Sequence, residues 1–132
     1  MKRGYKALLE AANAEIEALS PAEAANLAEG DDVVLVDIRD IRELKREGRV
    51  PGAIHAPRGM LEFWVDPESP YHKEIFASGK TFIFFCAAGW RSALATKTVQ
   101  DMGLEPVKHI EGGFGAWKKA GLPVDMPNEK KG

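Results

Sequence analysis

Residues 86–92 read Cys-Ala-Ala-Gly-Trp-Arg-Ser, and Cys86 is the only cysteine in the chain. It closes the apolar run Thr-Phe-Ile-Phe-Phe at 81–85, and a helical pattern begins just beyond the loop. A cysteine ending a buried strand ordinarily serves as a small hydrophobe. The residues that follow argue for more. Ala87, Ala88 and Gly89 carry almost no side chain, so backbone N–H groups can turn inward and ring the sulfur as an anion-binding nest. A helix starting near Arg91 or Ser92 aims its first N–H groups at the same spot. Both effects favour the thiolate. Arg91 adds a permanent cation suited to a bidentate grip on an oxyanion.

A cysteine acyl-transfer enzyme would need a histidine base and a group to orient it. His55, His72 and His109 sit in no such partnering motif. His55 and His109 lie on or beside short strands and read as structural; His72, before a helix start, is expected to be exposed. One cysteine and three scattered histidines give no metal-ligand spacing, so no metal and no organic cofactor is expected. A thiolate in an anion cradle with no proton acceptor suits two reactions: transfer of a sulfane sulfur, and transfer of a phosphoryl or arsenate-type group.

The elements that must hold this loop can be read around it. "VVLVDIR" at 33–39 is β-branched without polar alternation, which suits a strand buried on both faces. "TFIFFC" is a second buried strand, and "VKHIEGG" at 107–113 a third that ends in two glycines. A very short strand is expected around Ile54. Helices are expected over "YKALLEAANAEIEAL" at 5–19, "SPAEAANLAEG" at 20–30, "DIRELKREG" at 40–48, "SALATKTVQDMG" at 92–103 and "FGAWKKAG" at 114–121. Ser20 with Glu23, and Asp40 with Glu43, stand in capping-box positions, with Pro21 at the first helical residue and Gly30 and Gly48 as stops. Strands alternating with helices predict an α/β fold, a parallel sheet covered on both faces. Ligands of such sheets bind beyond the carboxyl ends of the strands. Asp37, Cys86 and the glycines after Ile110 share that end.

Composition sets the outer limits. The chain has 132 residues, about one domain, with 18 basic and 20 acidic side chains and a formal charge of −2. No charge excess is available to hold nucleic acid or an anionic membrane, and neither is expected as a partner. A lone cysteine forms no internal disulfide, and no apolar stretch approaches the length of a span. A cytoplasmic, soluble protein is expected.

Three segments in order, "VDIRD…E…GRVPGAIHAP", "CAAGWRS" and "HIEGGFGAWKKAGLPV", resemble the rhodanese-domain sulfurtransferases, over nearly the whole chain. The resemblance implies a rhodanese-type domain over 15–125 with about five short strands. A helical extension would precede it at 1–14 and a flexible tail follow at 126–132. It converts Ile16–Leu19 from helix to strand. It implies that Cys86 takes the outer sulfur of a donor, thiosulfate or a persulfide, and carries it as a persulfide to cyanide, a thiol or a protein acceptor. The substrate-binding loop would comprise Ala87, Ala88, Gly89, Trp90, Arg91 and Ser92. Asp37 and Arg39 would support it, with Arg39 able to meet Glu43. Related phosphatases and arsenate reductases have one residue more between cysteine and arginine, which argues against that chemistry here. A module that only carries or delivers the persulfide to one protein is the rival reading.

The chain departs from the family in two places. Arg49 stands where histidine is frequent, and Ala87 and Ala88 stand where thiosulfate-using relatives carry basic side chains, which favours a persulfide donor. Trp90 reads either as a core wedge or as a wall of the pocket. Phe114 and Trp117 are expected in the core, and Phe63 and Trp64 are expected to staple down the connection that holds them.

Overall fold

The computed structural model describes residues 1–127; the last five residues, and with them most of the expected tail, lie outside the described residues. The elements run α1 (Tyr5–Asn13), β1 (Glu17–Leu19), α2 (Pro21–Leu27), β2 (Val33–Asp37), α3 (Ile41–Glu47), β3 (Ile54–His55), a 3-10 turn (Arg58–Met60), α4 (Leu61–Val65), a second 3-10 turn (Glu74–Ala77), β4 (Thr81–Phe85), α5 (Trp90–Met102), β5 (Val107–Ile110) and α6 (Gly113–Lys119). The five strands form one sheet in the order β1-β5-β4-β2-β3, every neighbour parallel. The fold is therefore α/β, as its strand–helix alternation predicts.

β4 sits at the centre, and its alternation explains why the sequence shows no polar face. Phe82 and Phe84 point into one core with Val36, Leu61, Phe76 and Val99; Ile83 and Phe85 point into the other with Leu35, Ile110, Phe114 and Trp117. Each face is roofed by helices, α4 and α5 on the first and α2 and α6 on the second. Phe114 and Trp117 are core residues, as expected.

Local chemistry sets the helix starts. Ser20 accepts from the Glu23 amide and Glu23 returns the bond to the Ser20 amide; Asp40 and Glu43 make the same reciprocal box at α3. β2 is shorter than its apolar run, because Ile38 already leaves the ladder while its amide donates to Phe85 O. α5 begins at Trp90, one or two residues ahead of the start expected near Arg91 or Ser92, because Gly89 takes φ +108° and turns the chain directly into the helix. Near the end, Arg49 and Asp125 exchange backbone hydrogen bonds of 2.9 and 2.8 Å, and Met126 lies against Gly48. Among the described residues no helix is long and apolar enough to cross a membrane.

Candidate active site

The central strand delivers Cys86 to the carboxyl end of the sheet with 1% of its surface exposed. Its Sγ receives two backbone N–H groups, from Gly89 at 3.2 Å and Ser92 at 3.3 Å. Only Gly89 belongs to the stretch kept nearly free of side chains. Ser92 is in the first turn of α5, where amides have no carbonyl partner within the helix and can serve an anion. Of the amides expected to ring the sulfur, those of Gly89 and Ser92 donate to it, and those of Ala87 and Ala88 do not.

What backs the loop is not evident from the loop's own sequence. The Phe114 amide donates to Cys86 O at 2.7 Å and the Gly115 amide to Ala87 O at 3.0 Å. With their carbonyls drawn toward α6, these peptide units are fixed from behind. The contact is so close that a Cβ on Gly113 would stand 2.4 Å from Cys86 O, and Gly113 also has φ +61°. The glycine pair after β5 is the sequence signal for this approach, although there it reads only as the end of a strand.

Two ion pairs flank the loop, and their partners differ from expectation. Arg39 does not meet Glu43. It is buried with Asp37, with Nε 3.0 Å and Nη2 2.8 Å from the two carboxylate oxygens, and Nη2 also donates to Gly48 O at 2.9 Å. Its guanidinium lies 4.1 Å over the Phe114 ring. The pair thus ties the end of β2 to the end of α3 and supports the helix that backs the loop. Such a pair adds little net stability, but orphaning either charge costs about 3–5 kcal/mol.

Glu43 is taken instead by Arg91, in a bidentate bond of 2.7 and 3.0 Å. Arg39 has a nearer carboxylate two residues back, which leaves Glu43 free to reach the loop. The hydrogen bond from Arg91 holds the Glu43 carboxyl below its ordinary pKa, against a smaller opposing effect of burial. Glu43 in turn raises Arg91, with a lesser contribution from the Cys86 sulfur. The cation expected to grip an oxyanion is therefore already paired with a carboxylate.

The histidines divide. His55 Nε2 lies 2.7 Å from Arg39 O, a structural bond. His72 is half-buried rather than exposed, because its Nδ1 is bound to Trp64 O at 3.0 Å. His109, 4% exposed, places Nδ1 2.9 Å from Ser92 Oγ, which in turn lies 3.7 Å from Cys86 Sγ. No motif announces that link, since the two residues meet only when β5 pairs with β4.

Trp90 is not a core wedge, and it stands at the edge of a cavity beside Ala88 and Gly89. It is 60% exposed and packs on Tyr5 of α1, ring centroids 5.1 Å apart. Trp64 packs against the core with Lys73 over its ring, consistent with a staple, while Phe63 is exposed. A cavity of about 470 Å³ adjoins Ala87 between α3 and α6, with Arg39, Glu43 and Lys118 in its walls. A second, of about 320 Å³, adjoins Ala88, Gly89 and Trp90 on the α1 side and includes Asn13, His109 and Glu111. Among the described residues no three potential metal ligands cluster.

The chain is similar to several known proteins. An uncharacterized protein of Synechocystis is 33% identical over 106 residues, 80% of this chain and 54% of that protein, so the chain spans about half of that relative. A sulfurtransferase of Allochromatium vinosum is 31% identical over 101 residues, 76% of this chain and 86% of its own. Among solved structures, a protein of unknown function from Rhodopseudomonas palustris, described as a possible tyrosine phosphatase, is 57% identical with a TM-score of 0.91, covering 95% of this chain and 96% of that one. The polysulfide-sulfur transferase homodimer of Wolinella succinogenes is 35% identical with a TM-score of 0.70, covering 91% and 85%. The rhodanese-like domain model matches residues 20–120. Because that match runs from α2 through α6, and so takes in both the thiol loop and the glycine pair behind it, the chain belongs to the rhodanese-like domain family.

Proposed function

We propose that the chain is a sulfurtransferase that works through a persulfide on Cys86. The observation that carries this reading is the pair of amides, from Gly89 and Ser92, donated to the cysteine sulfur. Such donors stabilise an anion on sulfur both before attack and while the persulfide is held. In the first half-reaction the Cys86 thiolate attacks the outer sulfur of a donor. A new S–S bond forms, the donor's sulfur bond breaks, and its electron pair leaves with a thiolate or, from thiosulfate, with sulfite. In the second, an acceptor thiolate or cyanide attacks the same outer sulfur and Cys86 departs as thiolate. No proton need be held during either displacement, and no metal or cofactor takes part. This sequence holds no second cysteine to resolve the persulfide, so the acceptor is a separate small thiol, protein thiol or cyanide.

A low-molecular-weight persulfide suits the site better than thiosulfate. Ala87 and Ala88 contribute no charge to the loop, and Arg91 is committed to Glu43, so a sulfonate meets little free positive charge. The relatives named as a sulfurtransferase and a polysulfide-sulfur transferase support sulfur chemistry. The relative described as a possible tyrosine phosphatase supports a second reading, phosphate ester hydrolysis. Against it stand the six-residue span from Cys86 to Arg91 and the Glu43 carboxylate beside the arginine that a phosphate dianion would need. An aryl phosphate assay separates the two.

Intact mass spectrometry after incubation with glutathione persulfide tests the proposal. The wild type is expected to gain one sulfur atom and Cys86→Ser none; no gain with any donor overturns the reading. A stable persulfide without turnover on small thiols would mark a carrier rather than a turnover enzyme.

A further inference from the structure

The sulfur-transfer steps give the buried imidazole of His109 no part. His109 lies on β5 opposite Phe84 of β4 on one side and Ala18 of β1 on the other, deep in the sheet. A buried imidazole is costly unless it is hydrogen-bonded. Its Nδ1 is bonded to Ser92 Oγ at 2.9 Å, and Ser92 is fully buried. Ser92 Oγ has two other neighbours, Gly89 O at 3.3 Å and Cys86 Sγ at 3.7 Å. A hydroxyl has one proton and three candidate recipients here, so its direction is set by what the imidazole does. Burial pushes the His109 pKa below its ordinary value, only partly opposed by Glu111, so the ring is neutral at pH 7 and carries one N–H. With that proton on Nδ1, His109 donates to Ser92 Oγ, and the hydroxyl proton is left for the sulfur or for Gly89 O. With it on Nε2, Ser92 donates to Nδ1 and offers the sulfur nothing.

We propose that His109 is a positioning residue that donates from Nδ1 to Ser92 Oγ and so turns the Ser92 hydroxyl proton toward Cys86 sulfur when that sulfur is anionic. This rests on the persulfide reading for its role in turnover, but the hydrogen-bond chain itself concerns the thiolate and is testable without any sulfur donor. No proton changes owner in the step; the chain adds a third donor to the two amides, and each bond in it polarises the next.

Alkylation of Cys86 by iodoacetamide at neutral pH reads the thiolate directly. Ser92→Ala is expected to slow it about tenfold, the worth of a hydrogen bond to a charged group. His109→Leu is expected to slow it several-fold, and the Ser92→Ala/His109→Leu double variant no further than Ser92→Ala alone, because the imidazole acts only through the hydroxyl. His109→Asn, which restores a side-chain N–H, is expected to recover most of the rate, a result that loss of packing would not give. Nitrogen-15 NMR of the wild-type protein supplies a reading that needs no variant: the His109 proton is expected on Nδ1. A proton found only on Nε2, or an additive double variant, overturns the proposal. Failure of Cys86 to accept sulfur while these rates behave as stated would instead sink the sulfurtransferase reading alone.

Discussion

The Cys86 loop has two neighbours built on different principles. On the α6 side everything is fastened: two backbone bonds hold the loop carbonyls, Gly113 lies against Cys86 O, and the buried Asp37–Arg39 pair sits against Phe114. On the α1 side the contact is an aromatic pair, Tyr5 and Trp90, each more than half exposed. The first side sets the shape of the cradle, which must not relax if its amides are to face sulfur. The second leaves a surface that a donor or acceptor can touch without disturbing that shape. Rigid backing and adaptable access are thus divided between two edges of one loop.

The division is broken most severely at Gly113. Alanine there meets backbone atoms that cannot move aside and a φ that L-residues avoid, so Gly113→Ala is expected to lose about 3 kcal/mol in urea titration and to abolish sulfur loading. A variant as stable and active as wild type would show that the α6 side is not rigid. Glu43→Gln is intermediate. It frees the Arg91 charge with little effect on folding, since the pair is partly exposed. The KM for thiosulfate is expected to fall about tenfold while that for a persulfide changes less. The same pair gives a pH signature. Its stabilisation is complete above the unfolded carboxyl value near 4.5 and is lost as pH falls through the lower folded value, a segment of acid sensitivity that Glu43→Gln lacks. Trp90→Ala is expected to be mildest, under about 1 kcal/mol, with any kinetic change in KM and not in kcat. A collapse of kcat there would erase the distinction between the two sides.

Local rules made much of this legible. β2 and β4 carry unbroken apolar runs because both faces are buried, and the capping boxes at Ser20 and Asp40 are short-range patterns that tertiary contacts did not override. The two amide donors could be foreseen, Gly89 from the side-chain-poor loop and Ser92 from the helix expected to start beside it. The partnerships were harder. Arg39 could reach Asp37 or Glu43, and only the fold shows that the nearer carboxylate wins and that Glu43 serves Arg91, 48 residues away. His109 meets Ser92 through parallel strand pairing, which has no spacing signature in one chain. Trp90 is a large apolar side chain, yet the helix start at Gly89 turns it outward, a backbone event that hydrophobicity does not encode.

The bonds from Phe114 and Gly115 to the loop carbonyls also make the sulfur site a passenger of the last helix. α6 is seven residues long, and it is held by the buried Phe114 and Trp117, so the two bonds last as long as that packing does. Any local opening of α6 would release the Cys86 and Ala87 peptide planes at once. Hydrogen exchange at the amides of Phe114 and Gly115, residues that donate nothing to sulfur, therefore clocks how long the cradle stays assembled.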